Sequence, residues 1–377
     1  MNRMATQTGN PLPRPGRDPR ADICRGLALW MIVINHTPGN WLGGFTLKNF
    51  AFADATEAFV LLAGYAGAFA YAGQADRQGW APAAASLVRR IAKLYVAHIF
   101  LLVVFTAQVG FSAATLDRAT YLDELALDPF AEQPYRTLLE ALLLRFQPHF
   151  LDILPLYIVL LAASPLMLWL AWHMPLVLLV ASVALWLMTG FGGWNLPNHP
   201  SPAGWYFNPL AWQLIFVIGI LIATAMKQGR RLVPATPWLL VPACAILVFG
   251  LVHQRVAPWS DVSWVLPQQA NLHDIFTSVQ KTFLPLQRLI HALALAYVLS
   301  YFPIVRQICA SRPLAPFALL GRHALPVFAT ICVLNFAMQV VRVKTGVDFA
   351  LDTAMLAGAL ATVLALAAAR HYWPKVA

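Results

Sequence analysis

Ten stretches of mostly apolar residues recur along the chain, each near the length of about 20 residues that an α-helix needs to cross a hydrocarbon core. They lie near 23–42, 55–73, 93–114, 150–171, 174–190, 209–226, 237–253, 285–303, 324–340 and 351–369. Inside lipid a spanning segment must satisfy its own backbone amides, as a helix does. The pattern therefore predicts an all-α fold, a polytopic transmembrane bundle of about ten spanning helices. Composition removes the soluble alternative. Apolar residues make up 59% of the 377 and charged residues 11%, where a soluble domain carries about a quarter charged. The four cysteines (Cys24, Cys244, Cys309, Cys332) have no C-x-x-C spacing and read as small apolar side chains. No metal-ligand cluster and no G-x-x-x-x-G-K, H-E-x-x-H or G-x-S-x-G motif occurs, and no soluble basic face offers itself to nucleic acid.

The charge balance of +10 sets sidedness. With the N-terminus in the cytoplasm, the inner side collects Arg3, Arg14, Arg17, Arg20, Arg25, Arg77, Arg89, Arg90, Lys93, Lys227, Arg230, Arg231, Arg306, Arg312, Arg322, Arg370 and Lys375. Only the acids Asp18, Asp22 and Asp76 join them there. Basic residues favour cytoplasmic loops in just this way; Arg342 and Lys344 are the pair on the wrong side. An even span count puts both termini inside. Residues 1–20 then form a polar cytoplasmic tail without a cleavable apolar core, 21–370 one membrane domain, and 371–377 a second cytoplasmic tail. Of the outer segments, 115–149 is expected to form an amphipathic helix against the membrane. The segment 254–284 carries Trp259, Asp261, Trp264, His273 and Asp274, and the Gly- and Pro-rich 191–208 carries tryptophans that suit either an interfacial belt or a sugar platform.

Ionisable groups inside a span are functional candidates by default, and the first span, DICRGLALWMIVINH, holds three of them: Asp22, Arg25 and His36. Eleven residues at about 100° each return His36 to within roughly 20° of the Arg25 face. The rise between them is about 16 Å, half the hydrocarbon thickness. Asp22, three residues before Arg25, is placed to pair with it. A cationic mouth and a deeper imidazole on one stripe make a tunnel wall. The plainer alternatives are a histidine satisfied by a helix neighbour and an arginine snorkelling to the interface with Asp22.

Arg25 and His36, with ten residues between them, match the R-x10-H motif of the membrane acyltransferase-3 superfamily. More closely, the chain resembles the OpgC proteins, which modify osmoregulated periplasmic glucans with succinyl groups. The matching stretches, in order from residue 22 to about 330, are DICRGLALWMIVINHTPGN, LKNFAFADATEAFVLLAGY, RRIAKLYVAH, LDILPLYIVLLAASPL, FNPLAWQLIFVIG and LGRHALPVF. The chain departs from the wider superfamily at Ala63-Gly64-Tyr65, where many members have Ser-Gly-Phe; that hydroxyl is missing.

The resemblance implies a multi-pass enzyme of the bacterial inner membrane. It would move an acyl group from cytoplasmic acyl-CoA, succinyl-CoA first, to a hydroxyl of a periplasmic β-glucan. Acyl-CoA is then a co-substrate, with no permanently bound cofactor and no metal; the partners are that thioester, the glucan and membrane lipid. His36 becomes the general base that takes the hydroxyl proton. Arg25 contacts coenzyme A phosphates or the acyl carboxylate, unless it only snorkels. Arg89, Arg90 and Lys93 suit donor phosphates, although inner-side topology alone also explains them. Glu57 would orient His36 or accept from sugar hydroxyls, or else sit among headgroups. His149, Asp152, Trp205 and Asn208 are candidates for acceptor binding at the outer mouth. His98, His291 and His323 are weaker candidates, and Arg288 a candidate for selecting an acyl carboxylate. The rival function is a transporter or flippase of an acyl donor or glycan, with Arg25 and His36 as coupling groups. It would be supported by broken helices at matching places of two halves, which the sequence does not display.

Overall fold

The computed structural model describes residues 18–37, 39–115, 126–256, 274–278 and 280–373. Arg3, Arg14, Arg17, Trp259, Asp261, Trp264, His273 and Lys375 lie outside the described residues, as do most of the expected N-terminal tail and of the C-terminal one. Every expected span corresponds to a helix, and among the described residues there is no strand. In chain order the helices are α1 (Pro19–Asn35), α2 (Ala55–Gln78), α3 (Trp80–Thr115), the short α4 (Asp128–Glu132) and α5 (Pro134–Leu142), then α6 (Ile153–His173), α7 (Pro175–Gly192), α8 (Pro209–Lys227) and α9 (Pro237–Val256). After the short α10 (Asp274–Thr277) come α11 (Leu286–Tyr301), α12 (Pro303–Cys309), α13 (Ala315–Arg322), α14 (Ala324–Thr345) and α15 (Phe349–Tyr372).

Eight or nine of the ten expected spans have helices of membrane-crossing length and apolarity among the described residues. Among the described residues, these are α2, α3, α6, α7, α8, α9, α14 and α15, with the bent pair α11–α12 making up to nine. Helix α1 stops at 17 residues. Beyond it Gly39 has a left-handed φ of 78°, and the Asn40 carboxamide donates to the carbonyls of Ile34 (2.7 Å) and Thr37 (2.5 Å). That satisfies the Ile34 carbonyl in the last turn, and the Thr37 carbonyl beyond it, without another turn of helix. Helix α11 ends at Pro303, which has no N–H and disfavours helical backbone at Phe302; the chain bends there by 87°. In the other direction, α3 runs 36 residues, about 54 Å at 1.5 Å per residue. It starts 13 residues before its apolar signal, so Arg89, Arg90 and Lys93 sit on helix and not on a loop.

Large apolar side chains face outward, as lipid-facing helices require: Trp238 is 88% and Phe111 72% exposed. Helix α8 is the hub, with Trp212, Ile215, Phe216 and Val217 fully enclosed. It meets α2 at two glycines, where small residues let backbones approach. A Cβ on Gly64 would lie 2.0 Å from the Phe216 carbonyl oxygen, and one on Gly219 would lie 2.3 Å from that of Leu61. The same device joins α1 to α13, with Gly26 against the Phe317 carbonyl and Gly321 against that of Asp22, each at 1.9 Å from the added carbon.

The wrong-side Arg342 has a local explanation. On α14 it pairs with Asp352 of α15 at 2.9 Å, both buried, so its charge is neutralised inside the bundle and carries no weight in sidedness. In the expected amphipathic stretch, α5 turns Thr137 and Ala141 inward and exposes Tyr135, Leu138 and Leu139. Its end is tied to α3 by the Tyr95 hydroxyl, which donates to the Leu142 carbonyl at 2.9 Å.

Candidate active site

Helix periodicity puts Arg25, Ile32 and the cap residue His36 at successive two- and one-turn intervals along α1, and all three open onto one cavity of about 770 Å³. The second wall is α2, which contributes Thr56, Phe59, Ala63, Ala66, Gly67, Ala70 and Tyr71. Near its end the helix widens into a π turn over Ala68–Ala72, an irregularity common at functional sites, and this one brings Tyr71 to the wall. Of the small residues in the second span, Gly64 therefore serves packing while Ala63, Ala66, Gly67 and Ala70 make room.

One end of the cavity is basic. Arg25, Arg90, Arg322 and Arg370 line it with His323. Arg25 donates to the Gly321 carbonyl at 3.3 Å and the Leu62 carbonyl at 3.5 Å, fixing α1 against α13 and α2. Asp22, buried, lies 3.7 Å from Arg25 and 3.5 Å from Arg322. Among the described residues that line this end none is acidic, and Asp22 behind it pairs with two of the four arginines, which leaves this end attractive to anions. The neighbours expected with Arg90 divide: Arg90 lines the cavity, whereas Arg89 is exposed and donates to the Ser86 hydroxyl, and Lys93 is exposed and off the cavity.

The other end gathers His36, Thr56, His149, Asp152, Tyr206, Phe207 and Lys281. His36 is the half-buried cap of α1. Its backbone N–H donates to the Ile32 carbonyl, its carbonyl accepts from Gln339 at 2.8 Å, and its ring packs on Phe150 with centroids 4.6 Å apart. Its backbone is held at both ends while Phe150 packs on the ring, and the charges that act on it come from Lys281, Asp54 and Lys48.

Four of the expected residues lie off this end of the cavity. Glu57 is fully buried and off the cavity, with one oxygen 2.7 Å from the Arg288 Nε and the other accepting from the Asp54 N–H at 2.8 Å. It closes the capping box of α2 and does not orient His36. Asp54-x-x-Glu57 is the sequence signature of such a box, so this role was readable. Arg288 is buried against Glu57 and Asp54 and does not reach the cavity. Asn208 caps α8, accepting from Leu210 N–H and donating to the Trp194 carbonyl at 2.6 Å. Trp205 is buried with its indole N–H on the Pro197 carbonyl, so both shape the loop while Tyr206 and Phe207 between them face the cavity. His98 and His291 are also buried away from it.

Lys281 had no sequence signal, because it sits in a loop far from every motif. Its Nζ lies 2.5 Å from Asp54 Oδ2, and Arg288 lies 3.2 Å from the same oxygen. Burial alone would raise the Asp54 carboxyl, but the Lys281 and Arg288 charges outweigh it and hold that group well below the usual carboxylate range. Burial, the largest single influence, likewise opposes the ammonium of Lys281, but Asp54 together with Glu57 and Tyr206 outweighs it and raises that group. The loop itself is clamped: Trp212 donates to the Lys281 carbonyl at 2.8 Å, Trp186 to those of Phe283 and Leu284, and the Asn208 N–H to that of Thr282.

A family model described as OpgC protein matches residues 17–375. The chain belongs to the OpgC family. Family membership and eight or nine membrane-length helices together make it a multi-pass membrane protein with an acyltransferase role in glucan modification. No curated protein and no solved structure matches the chain.

Proposed function

We propose that this OpgC-family protein is an inner-membrane O-acyltransferase that moves a succinyl group from cytoplasmic acyl-CoA to a hydroxyl of a periplasmic β-glucan. One observation carries the reading: a single cavity joins the basic end at Arg25, Arg90, Arg322 and Arg370 to the His36 end. Its volume lies within the range of about 300–1,000 Å³ usual for small-molecule sites.

The arginines hold the coenzyme A phosphates, and the pantetheine arm runs along Ile32, Phe59, Ala63, Leu161 and Phe328. That apolar wall keeps water from the thioester and so limits hydrolysis. The sugar enters from the other end, where Asp152, His149 and Tyr206 supply hydrogen-bonding groups. His36 takes the hydroxyl proton as the oxygen attacks the thioester carbonyl, then returns it to the departing thiolate. Holding both substrates in one cavity supplies much of the rate through orientation.

The test is purified full-length protein in lipid nanodiscs with succinyl-CoA and unmodified β-glucan. Mass spectrometry should find glucan heavier by one succinyl group per modified sugar, and free coenzyme A released in step. Movement of thioester or glucan across vesicles with no acylated product would instead establish the transporter.

A further inference from the structure

Acyl transfer needs more than a base. As the hydroxyl oxygen bonds to the thioester carbon, the carbonyl π pair moves onto oxygen, and a preorganised donor aimed at that charge is commonly the largest contribution to rate. Arg25 is about 16 Å from His36 along α1 and belongs to the basic end. Among the described residues that line the cavity, Lys281 is the Lys or Arg at the His36 end.

We propose that Lys281 is the electrophilic partner of His36, its ammonium holding the carbonyl oxygen as negative charge develops there. This rests on the acyl-transfer reading above. The clamped backbone at residues 281–284 and the Asp54 contact fix the ammonium before substrate arrives, and a group already in place costs no reorganisation during reaction. Asp54 engages one side of the Nζ, which has three donors in all.

The charge count separates this role from recognition of a free acyl carboxylate. Asp54, Glu57, Lys281 and Arg288 form a neutral set, with Asp152 nearby on the same cavity end. A permanent anion would bring excess negative charge into that set. The oxyanion forms together with the His36 imidazolium, so the step adds no net charge. In balance, the O–C bond forms, the hydroxyl proton goes to His36, and the oxyanion collapses to break C–S. The thiolate then takes the proton from His36, and Lys281 keeps its protons throughout.

The experiment compares Lys281→Met, Lys281→Arg and the charge-balanced Asp54→Asn/Lys281→Met in nanodiscs, with kcat and donor KM measured separately. Lys281→Met is expected to lower kcat by about 10²–10³ with donor KM within a few-fold of wild type. Lys281→Arg should retain part of the rate, and the double variant, which leaves no unpaired carboxylate, should stay as slow as Lys281→Met. Recovery of the double variant to near wild-type turnover, or a raised donor KM with kcat unchanged, overturns the assignment and leaves acyl transfer intact. Absence of transfer by the wild type in the same assay removes the functional reading and the assignment with it.

Discussion

His36 joins two things that sequence and structure supply separately. The R-x10-H spacing singles it out, and one cavity joins it to the basic end at Arg25. His36→Asn keeps a hydrogen-bonding side chain of similar reach but cannot accept the proton, so kcat should fall by roughly 10²–10⁴ while donor affinity measured by calorimetry stays unchanged. Wild-type turnover by a correctly inserted His36→Asn protein would end the general-base role. Arg90 and Lys93 looked equivalent as sequence, being a basic pair three residues apart, and only the rotation of α3 separates them. Charge-assisted hydrogen bonds are worth about 1.5–3 kcal/mol, so Arg90→Gln should raise donor KM roughly 10- to 100-fold. The change in kcat should be smaller, because phosphates lie far from the reacting carbon. Lys93→Gln should leave KM alone, and equal effects from both would place the phosphates elsewhere. Lys281 and Arg370 were not legible as site residues, because nothing local marks them, and Arg322 lies inside the matching stretch LGRHALPVF without any sign that it faces a site. They reach the cavity from a loop and from two helix ends that tertiary packing brings together.

Among the elements, hydropathy located helices well where packing and apolarity coincide, as in α8, expected at 209–226 and found at 209–227. It failed where a helix outruns its apolar part, as in α3, and where a polar cap ends the helix inside an apolar run, as at Asn40. The glycine contacts lay beyond the reach of hydropathy because they depend on which faces meet. Gly64→Ala would put a methyl 2.0 Å from a backbone carbonyl that cannot move independently, at a cost of about 1–3 kcal/mol. Gly358→Ala, with no atom within 4 Å, should be near neutral. Thermal unfolding in nanodiscs separates them; equal melting temperatures would mean that the α2–α8 crossing yields easily. The Arg342–Asp352 pair gives a second case. Arg342→Met leaves a buried carboxylate alone and should destabilise by about 3–5 kcal/mol, whereas Arg342→Met/Asp352→Leu should regain most of it. A double variant as unstable as the single one would show that the arginine acts through contacts other than its charge partner.

At the scale of the whole molecule, sidedness decides which substrate meets which end of the cavity. The basic end shares its side with Arg77, Arg230, Arg231, Arg306 and Arg312 in the charge count, once Arg342 is set aside as a paired residue inside the bundle. Lys and Arg are retained on the cytoplasmic side, which is also the side from which the proposed acyl-CoA donor would enter. Two exposed positions report on the two faces: Trp80, 53% exposed at the start of α3, and Phe45, 72% exposed in the segment that follows His36. In a background with Cys24, Cys244, Cys309 and Cys332 replaced, Phe45→Cys should react with a membrane-impermeant maleimide in spheroplasts. Trp80→Cys should react only after the membrane is permeabilised. The opposite pattern would turn the basic end outward, and with it the arginines that are meant to hold a cytoplasmic donor. Direct transfer from acyl-CoA through this cavity would then have no route, whatever the chemistry at His36.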